Sequence, residues 1–126
     1  MDKKTEQWIM QADYDMDTAK YMLKGGRYFY AVFMLHLSLE KALKGLYFEK
    51  LKIVPPKTHN LISLVNQIKI DLPKKEGLFL VKINSASIIT RYPEDLEKIK
   101  KQYTKPIVID IIEQTKKVLK WIKEQL

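Results

Sequence analysis

Three polar residues recur at four-residue intervals in the most apolar part of this 126-residue chain: His36, Glu40 and Lys44. On an α-helix that spacing stacks them one turn apart, here at the boundary between core and solvent. The imidazole could carry a proton or donate to a phosphate, with the carboxylate orienting it and the lysine supplying positive charge. Alternatively, His36 is a half-buried structural residue satisfied by Glu40 or by Asp15.

Two further segments carry candidate residues. His59 lies in a loop that enters a helix, where a histidine often only caps or orders the turn. Arg91, one of two arginines, precedes Tyr92 and Pro93, and the proline should end a helix there. Its guanidinium could bridge packed helices, hold a phosphate or pair with a carboxylate, and Tyr92 could be a stacking core residue.

Several kinds of chemistry have no support in the sequence. The absence of cysteine excludes disulfides and thiolate metal sites. A metal site built from His36, Glu40 and His59 is formally possible, but it is the least favoured option because nothing in their spacing specifies it. No glycine-rich phosphate loop, serine-nucleophile motif or paired-carboxylate motif is found. We therefore expect no metal and no cofactor.

The charge balance bears on the partners of the protein. The net charge is +8 and comes almost wholly from lysine, which favours phosphate-bearing or acidic partners through a salt-sensitive field. Lysine is strongly hydrated, so weak nonspecific attraction is favoured over base-specific recognition. The longest uncharged run, residues 28–39, is much shorter than the ~20 residues of a membrane span. We expect a soluble, cytoplasmic protein that does not enter membranes.

The hydrophobic spacing predicts helices and no convincing strand. We expect long helices near 3–24, 28–52, 74–90 and 106–125, and a short one that carries Leu61 to Ile68 after a Thr58 cap. Residues 94–104 should form a loop or a loose helical turn. The predicted fold is a single all-α domain over residues 1–126, an up-and-down four-helix bundle with an additional short helix.

The second predicted helix is apolar on two sides. Tyr30, Met34 and Leu37 point away from its core-facing stripe. Such a helix is either central in a bundle or buried against a second subunit, and we expect both here. These three residues are therefore the predicted interface of a homodimer.

An ordered set of residues resembles the HEPN family over nearly the whole chain. The set comprises Trp8, Ala12, Asp15, Ala19, Gly26, Tyr28, Ala31, His36, Glu40, Lys41, Lys44, Pro56, His59, Leu61, Arg91, Tyr92 and Pro93. The resemblance implies a helical bundle of this size, frequent homodimers and a prokaryotic partner that is often a separately encoded minimal nucleotidyltransferase. It also implies either nucleotide or RNA binding or, in toxin and defence members, metal-independent RNA cleavage.

The sequence departs from the cleaving branch of that family. The branch depends on an arginine followed, after four to six residues, by a histidine. After Arg91 those positions hold Leu96, Glu97 and Lys98, and after Arg27 they are apolar. Without that histidine the expected group for proton transfer is missing.

The resulting hypothesis is a noncatalytic module that binds a nucleotide or an RNA phosphate. It would act with a minimal nucleotidyltransferase in a toxin–antitoxin-like system. Its candidate site residues are His36, Glu40, Lys44, Arg91 and Tyr92. One alternative is a divergent metal-independent ribonuclease toxin that uses His36 or His59. Another is a purely structural module for dimerisation or interaction.

Overall fold

The computed structural model describes residues 1–126 and contains six helices and no strand. The helices are α1 (Lys3–Lys24), α2 (Tyr28–Leu51), α3 (Leu61–Ile68), α4 (Lys74–Arg91), α5 (Leu96–Gln102) and α6 (Lys105–Glu124). None of the six combines the length and the apolarity that a membrane span needs. The four long helices and the absence of strands confirm the predicted all-α bundle.

Helix α5 corrects the expectation of a loop or loose turn over residues 94–104. Its first turn is capped by Asp95, whose carboxylate accepts a hydrogen bond from the Lys98 amide at 3.1 Å. Ile99 is buried and anchors the helix to the rest of the molecule. One cap and one buried side chain thus hold a short helix that is otherwise charged.

Helix α2 is the centre of the bundle. It contacts each of the other five helices, and 15 of its 24 residues are buried. This explains why it is apolar on more than one side. Tyr30, on its predicted interface face, is 49 % exposed, whereas Met34 and Leu37 are half-buried within the single chain.

Helices α1 and α2 approach each other closely at Gly45. A Cβ atom at that position would lie 3.0 Å from the Trp8 Cβ, so only glycine fits without displacement. Two polar contacts fix the same pair of helices: Lys41 pairs with Asp15 at 2.8 Å, and the Ser38 hydroxyl donates to a carbonyl of α1 at 2.7 Å. Asp15 is therefore the partner of Lys41 and not of His36, which corrects one predicted structural role.

Helix α3 is capped by Asn60 and not by Thr58. The Asn60 side-chain oxygen accepts from the amides of Ile62 at 3.0 Å and Ser63 at 3.1 Å. The Thr58 hydroxyl accepts from the Asn60 amide at 3.1 Å and orders the turn before the helix. The predicted cap was two residues too early, because threonine and asparagine are both favoured at this position and the sequence offers both.

Candidate functional site

The polar residues of α2 are buried and do not straddle the solvent boundary as their spacing predicted. His36, Glu40 and Lys44 are 0 %, 5 % and 7 % exposed. They are covered from both sides, because Trp8 of α1 lies against Lys44 and His59 lies against Glu40. The sequence pattern of one helix does not contain these covering groups.

The Glu40 carboxylate contacts nitrogen atoms of two other side chains. One carboxylate oxygen accepts from Lys44 Nζ at 3.0 Å, and the other lies 2.8 Å from His59 Nδ1. Lys44 Nζ also lies 5.9 Å from the centre of the Trp8 ring, within the range of a cation–π contact. Both oxygens of Glu40 are thus engaged, one by a residue of its own helix and the other by the loop before α3.

His36 is satisfied by neither Glu40 nor Asp15. Its Nε2 lies 3.4 Å from the Asn84 side-chain oxygen, and its Nδ1 is buried without a hydrogen-bond partner. Burial lowers the pKa of His36, against the opposing influences of Asn84 and Glu40, and favours the neutral ring. Because the ring has no exposed surface, His36 supports the site from below and does not reach a ligand.

Asn84 connects α4 to the start of α3. Its side-chain oxygen accepts from the Leu61 amide at 3.0 Å, and its side-chain nitrogen donates to the Asn60 oxygen at 3.4 Å. Asn84 was not among the predicted site residues. The sequence could have indicated it through its position seven residues before Arg91, because that spacing places both residues on one face of a helix.

An open cleft of about 260 Å³ lies where α4 meets the entry to α3. It is lined by Asn84, Ser87, Ile88, Arg91 and Tyr92 from α4 and its end, and by His59 and Asn60 from the loop before α3. None of these side chains is a carboxylate. The cleft therefore presents donors and positive charge without a competing anion.

Arg91 forms no salt bridge with Glu94, Asp95 or any other carboxylate. Its guanidinium lies over Phe33 of α2, 4.9 Å from the ring centre, and its Nε is buried without a partner. The side chain is half-buried. A planar guanidinium held by an aromatic face keeps a fixed orientation while its remaining N–H groups stay available.

His59 is more than a residue that orders a turn. Its side chain is 60 % exposed, yet its Nδ1 is held by the buried carboxylate of Glu40. When Nδ1 donates to that carboxylate, Nε2 is the ring nitrogen with a free lone pair. The pair therefore fixes the orientation of an accessible imidazole at the edge of the cleft.

Tyr92 is 72 % exposed and is not a core residue, which corrects the alternative role considered for it. Its backbone (φ −128°, ψ 67°) has left the helix, because the following Pro93 disfavours helical geometry. Its ring lies at the rim of the cleft. Of the predicted site residues, Arg91 and Tyr92 line the cleft, Glu40 and His36 lie beneath it, and Lys44 points towards Trp8.

The metal alternative finds no support in this geometry. No three histidine or carboxylate side chains are grouped as a metal site, and the His36 ring faces Asn84 while His59 alone contacts Glu40.

The chain was compared with protein-family models, curated proteins and solved structures. The model of the HEPN domain matches residues 5–125. The crystal structure of TT1696 from Thermus thermophilus has the same fold, with a TM-score of 0.85 at 21 % identity over 99 % of this chain and 100 % of that one. The crystal structure of ST0689, an archaeal HEPN homologue, gives a TM-score of 0.78 at 25 % identity over 98 % of each chain. No curated protein matches the chain. Since the family model spans nearly all of it, the chain belongs to the HEPN domain family.

Proposed function

We propose that the cleft binds the phosphate group of a nucleotide or of RNA. The observation that carries this proposal is Arg91, a half-buried guanidinium that stacks on Phe33 and has no carboxylate partner. A guanidinium in this state is well suited to a phosphate, to which it can donate two parallel hydrogen bonds.

The other lining residues fit the rest of a nucleotide. Asn60, Asn84 and Ser87 offer polar groups, and the exposed ring of Tyr92 offers a surface on which a base can stack. A volume of about 260 Å³ is equivalent to roughly nine water molecules in the liquid, which is enough for a phosphate and its sugar. We therefore expect the cleft to accept one nucleotide unit at a time.

Calorimetric titration with adenosine monophosphate tests this function. Arg91→Ala should raise the dissociation constant by about tenfold or more, since hydrogen bonds to charged groups contribute ~1.5–3 kcal/mol. Arg27→Ala removes the same charge from an exposed position outside the cleft and should change the constant by less than about threefold. Equal affinity of both variants and the wild type would contradict the proposal.

We further propose that the protein is a homodimer, with α4 as its main interface. Leu78, Val81 and Ile89 lie three and eight residues apart on one face of this helix, outside the cleft, and each is about half exposed or more. A stable pair of copies buries at least ~1,200 Å² in total, so the interface would extend from these three side chains to their exposed neighbours. The proposed interface thus centres on α4, whereas the sequence predicted it on α2.

The mass in solution tests the dimer. Light scattering after size exclusion should give twice the chain mass for the wild type and a monomer for Leu78→Asp. Met10→Asp introduces the same charge at an equally exposed apolar residue of α1 and should remain dimeric. A monomeric wild type would refute self-association.

Association with a minimal nucleotidyltransferase rests on family membership, and co-purification of the two co-expressed proteins would test it.

Metal-independent RNA cleavage is a second candidate function, favoured by one observation. The buried carboxylate of Glu40 lies 2.8 Å from Nδ1 of the exposed His59, which lines the same cleft as Arg91. His59 Nε2 could accept the proton of a ribose 2′-hydroxyl. The 2′-oxygen would then attack the phosphorus, and the 5′-oxygen would leave with a proton from solvent, while Arg91 stabilises the charge on the phosphate.

This candidate is tested by incubating a labelled RNA with the protein in a metal chelator. Cleavage should leave a 2′,3′-cyclic phosphate and should be lost in His59→Ala. Lys57→Ala, which alters an exposed neighbour in the same loop, serves as the matched control. Intact RNA with the wild type would exclude this function and leave phosphate binding in place.

A further inference from the structure

A second surface of the protein has the chemistry of a nucleic-acid site. A groove of about 460 Å³ runs between α1 and the second half of α6, and none of its lining residues belongs to the cleft. Four lysines line it, Lys20 from α1 and Lys116, Lys120 and Lys123 from α6. Its floor is apolar, because the buried side chains of Met16 and Leu119 close it from below.

The positive charge of the groove is only partly neutralised. Of its two acidic residues, Asp13 pairs with Lys123 at 2.6 Å, and Glu124 lies at the end of α6. Lys20 and Lys120 form no ion pair, and the contact between Lys116 and Glu113 joins two exposed groups that water screens. At least two ammonium groups are thus free to contact an anion.

The lysines extend along the groove over the length of a few nucleotides. Lys116, Lys120 and Lys123 lie on one face of α6, and the helical rise of ~1.5 Å per residue separates the first and last by ~10 Å along the axis. A stacked strand advances ~3.4 Å per nucleotide, so this distance corresponds to about three nucleotides.

Two exposed tyrosines stand beside the lysines. Tyr14 and Tyr21 are 74 % and 75 % exposed, and they lie seven residues apart on one face of α1. Each is the chain neighbour of a groove residue, Asp13 or Lys20, and one residue corresponds to a rotation of about 100° around the helix. The rings therefore stand on the outer side of α1, outside the groove and next to its edge, with ~10 Å between them along the helix.

We propose that this groove binds the backbone of a single-stranded polynucleotide, with bases that turn outwards over α1 stacking on Tyr14 and Tyr21. Proteins that hold single strands without sequence preference combine a basic groove with aromatic stacking surfaces in this way. Lysine, as a hydrated point charge, suits phosphates without base-specific recognition. The inference is independent of phosphate binding by Arg91.

Fluorescence anisotropy with labelled twelve-nucleotide oligouridylate and oligodeoxythymidylate tests the proposal. Recognition through the backbone predicts similar affinities for the two strands. The charge-reversed Lys20→Glu/Lys120→Glu should raise the dissociation constant at least tenfold and reduce the salt slope by about 1.4, for ~0.7 per lost phosphate contact. Lys50→Glu/Lys75→Glu changes the net charge equally at exposed, unpaired lysines elsewhere and should have less than about a threefold effect.

Substitutions of the tyrosines distinguish base stacking from attraction by charge alone. Tyr14→Ala and Tyr21→Ala should each weaken binding at least about fivefold, whereas the corresponding phenylalanine variants keep the ring and should bind like the wild type. The groove variants should bind adenosine monophosphate like the wild type. In an Arg91→Ala background the groove substitutions should weaken strand binding by the same factors as in the wild type. Equal losses in the two lysine variants, unchanged binding in the alanine variants, or no binding of either strand to the wild type would overturn the proposal.

Discussion

Replacing Glu40 by glutamine should destabilise the protein strongly. The carboxylate is 5 % exposed and accepts from Lys44 at 3.0 Å, while the Lys44 side chain is itself 9 % exposed. Glutamine removes the negative charge and leaves a buried ammonium whose remaining favourable contact is the Trp8 ring, 5.9 Å away. Breaking a buried ion pair from one side costs ~3–5 kcal/mol, and because the amide keeps one acceptor oxygen we expect about 3 kcal/mol.

The double variant Glu40→Gln/Lys44→Met separates the charge effect from other effects. It removes both charges and keeps similar volumes, and such replacements of a buried pair are often neutral or stabilising. We therefore expect it to recover most of the stability that Glu40→Gln loses. Phosphate binding through Arg91 should survive, whereas any proton transfer by His59 should not, because its orienting carboxylate is gone.

Urea unfolding followed by circular dichroism measures these effects. With a slope of about 1.5 kcal/mol/M, a loss of about 3 kcal/mol lowers the midpoint by about 2 M at an unchanged slope. Lys116→Met, which removes a lysine from an exposed pair, is the matched control and should shift the midpoint by less than about 0.5 M. A double variant as unstable as Glu40→Gln, or a Glu40→Gln variant as stable as the wild type, would refute the reasoning.

Four further substitutions test separate parts of the structure by thermal or urea unfolding. Gly45→Ala should cost ~1–3 kcal/mol, because its Cβ would lie 3.0 Å from the Trp8 Cβ, whereas Gly77→Ala, with its nearest neighbour at 3.7 Å, should stabilise by up to ~1 kcal/mol. Asn60→Ala should cost ~1 kcal/mol through loss of the α3 cap, and an unchanged midpoint would exclude that role. Burial lowers the pKa of His36, so the unfolded chain binds a proton there more readily than the folded chain does, and the free energy of unfolding should fall as the pH drops below about 6.5. His36→Leu should flatten that fall. An equal fall in the wild type and the variant would contradict this reasoning.

The helices were predictable where the sequence marks their ends clearly. Gly25 and Gly26 end α1, and Pro93 ends α4, so these boundaries agree with the structure to within about two residues. Helix α5 was missed because its evidence is one cap, Asp95, and one buried residue, Ile99, within a charged segment. A hydrophobic period cannot be recognised in a helix with so few apolar positions.

The site was predictable only as far as one helix allows. Spacing alone aligned His36 and Glu40 on α2, but their partners Asn84 and His59 lie 48 and 19 residues further along the chain. Which helix covers a polar residue is decided by tertiary packing, which the spacing of residues within one helix does not reveal. The same limit explains why Arg91 had several possible partners in the sequence and has the Phe33 ring in the structure.

The central claim is that the Arg91 cleft holds a phosphate, and an amide nitrogen–proton NMR titration with adenosine monophosphate tests it most directly. We expect the largest shifts at Asn60, Leu61 and the last two turns of α4, and we expect Arg91→Ala to need at least about tenfold more nucleotide for the same shifts while the remaining spectrum is preserved. Shifts that are absent, that occur only outside these segments, or that saturate at the same nucleotide concentration in Arg91→Ala would contradict it.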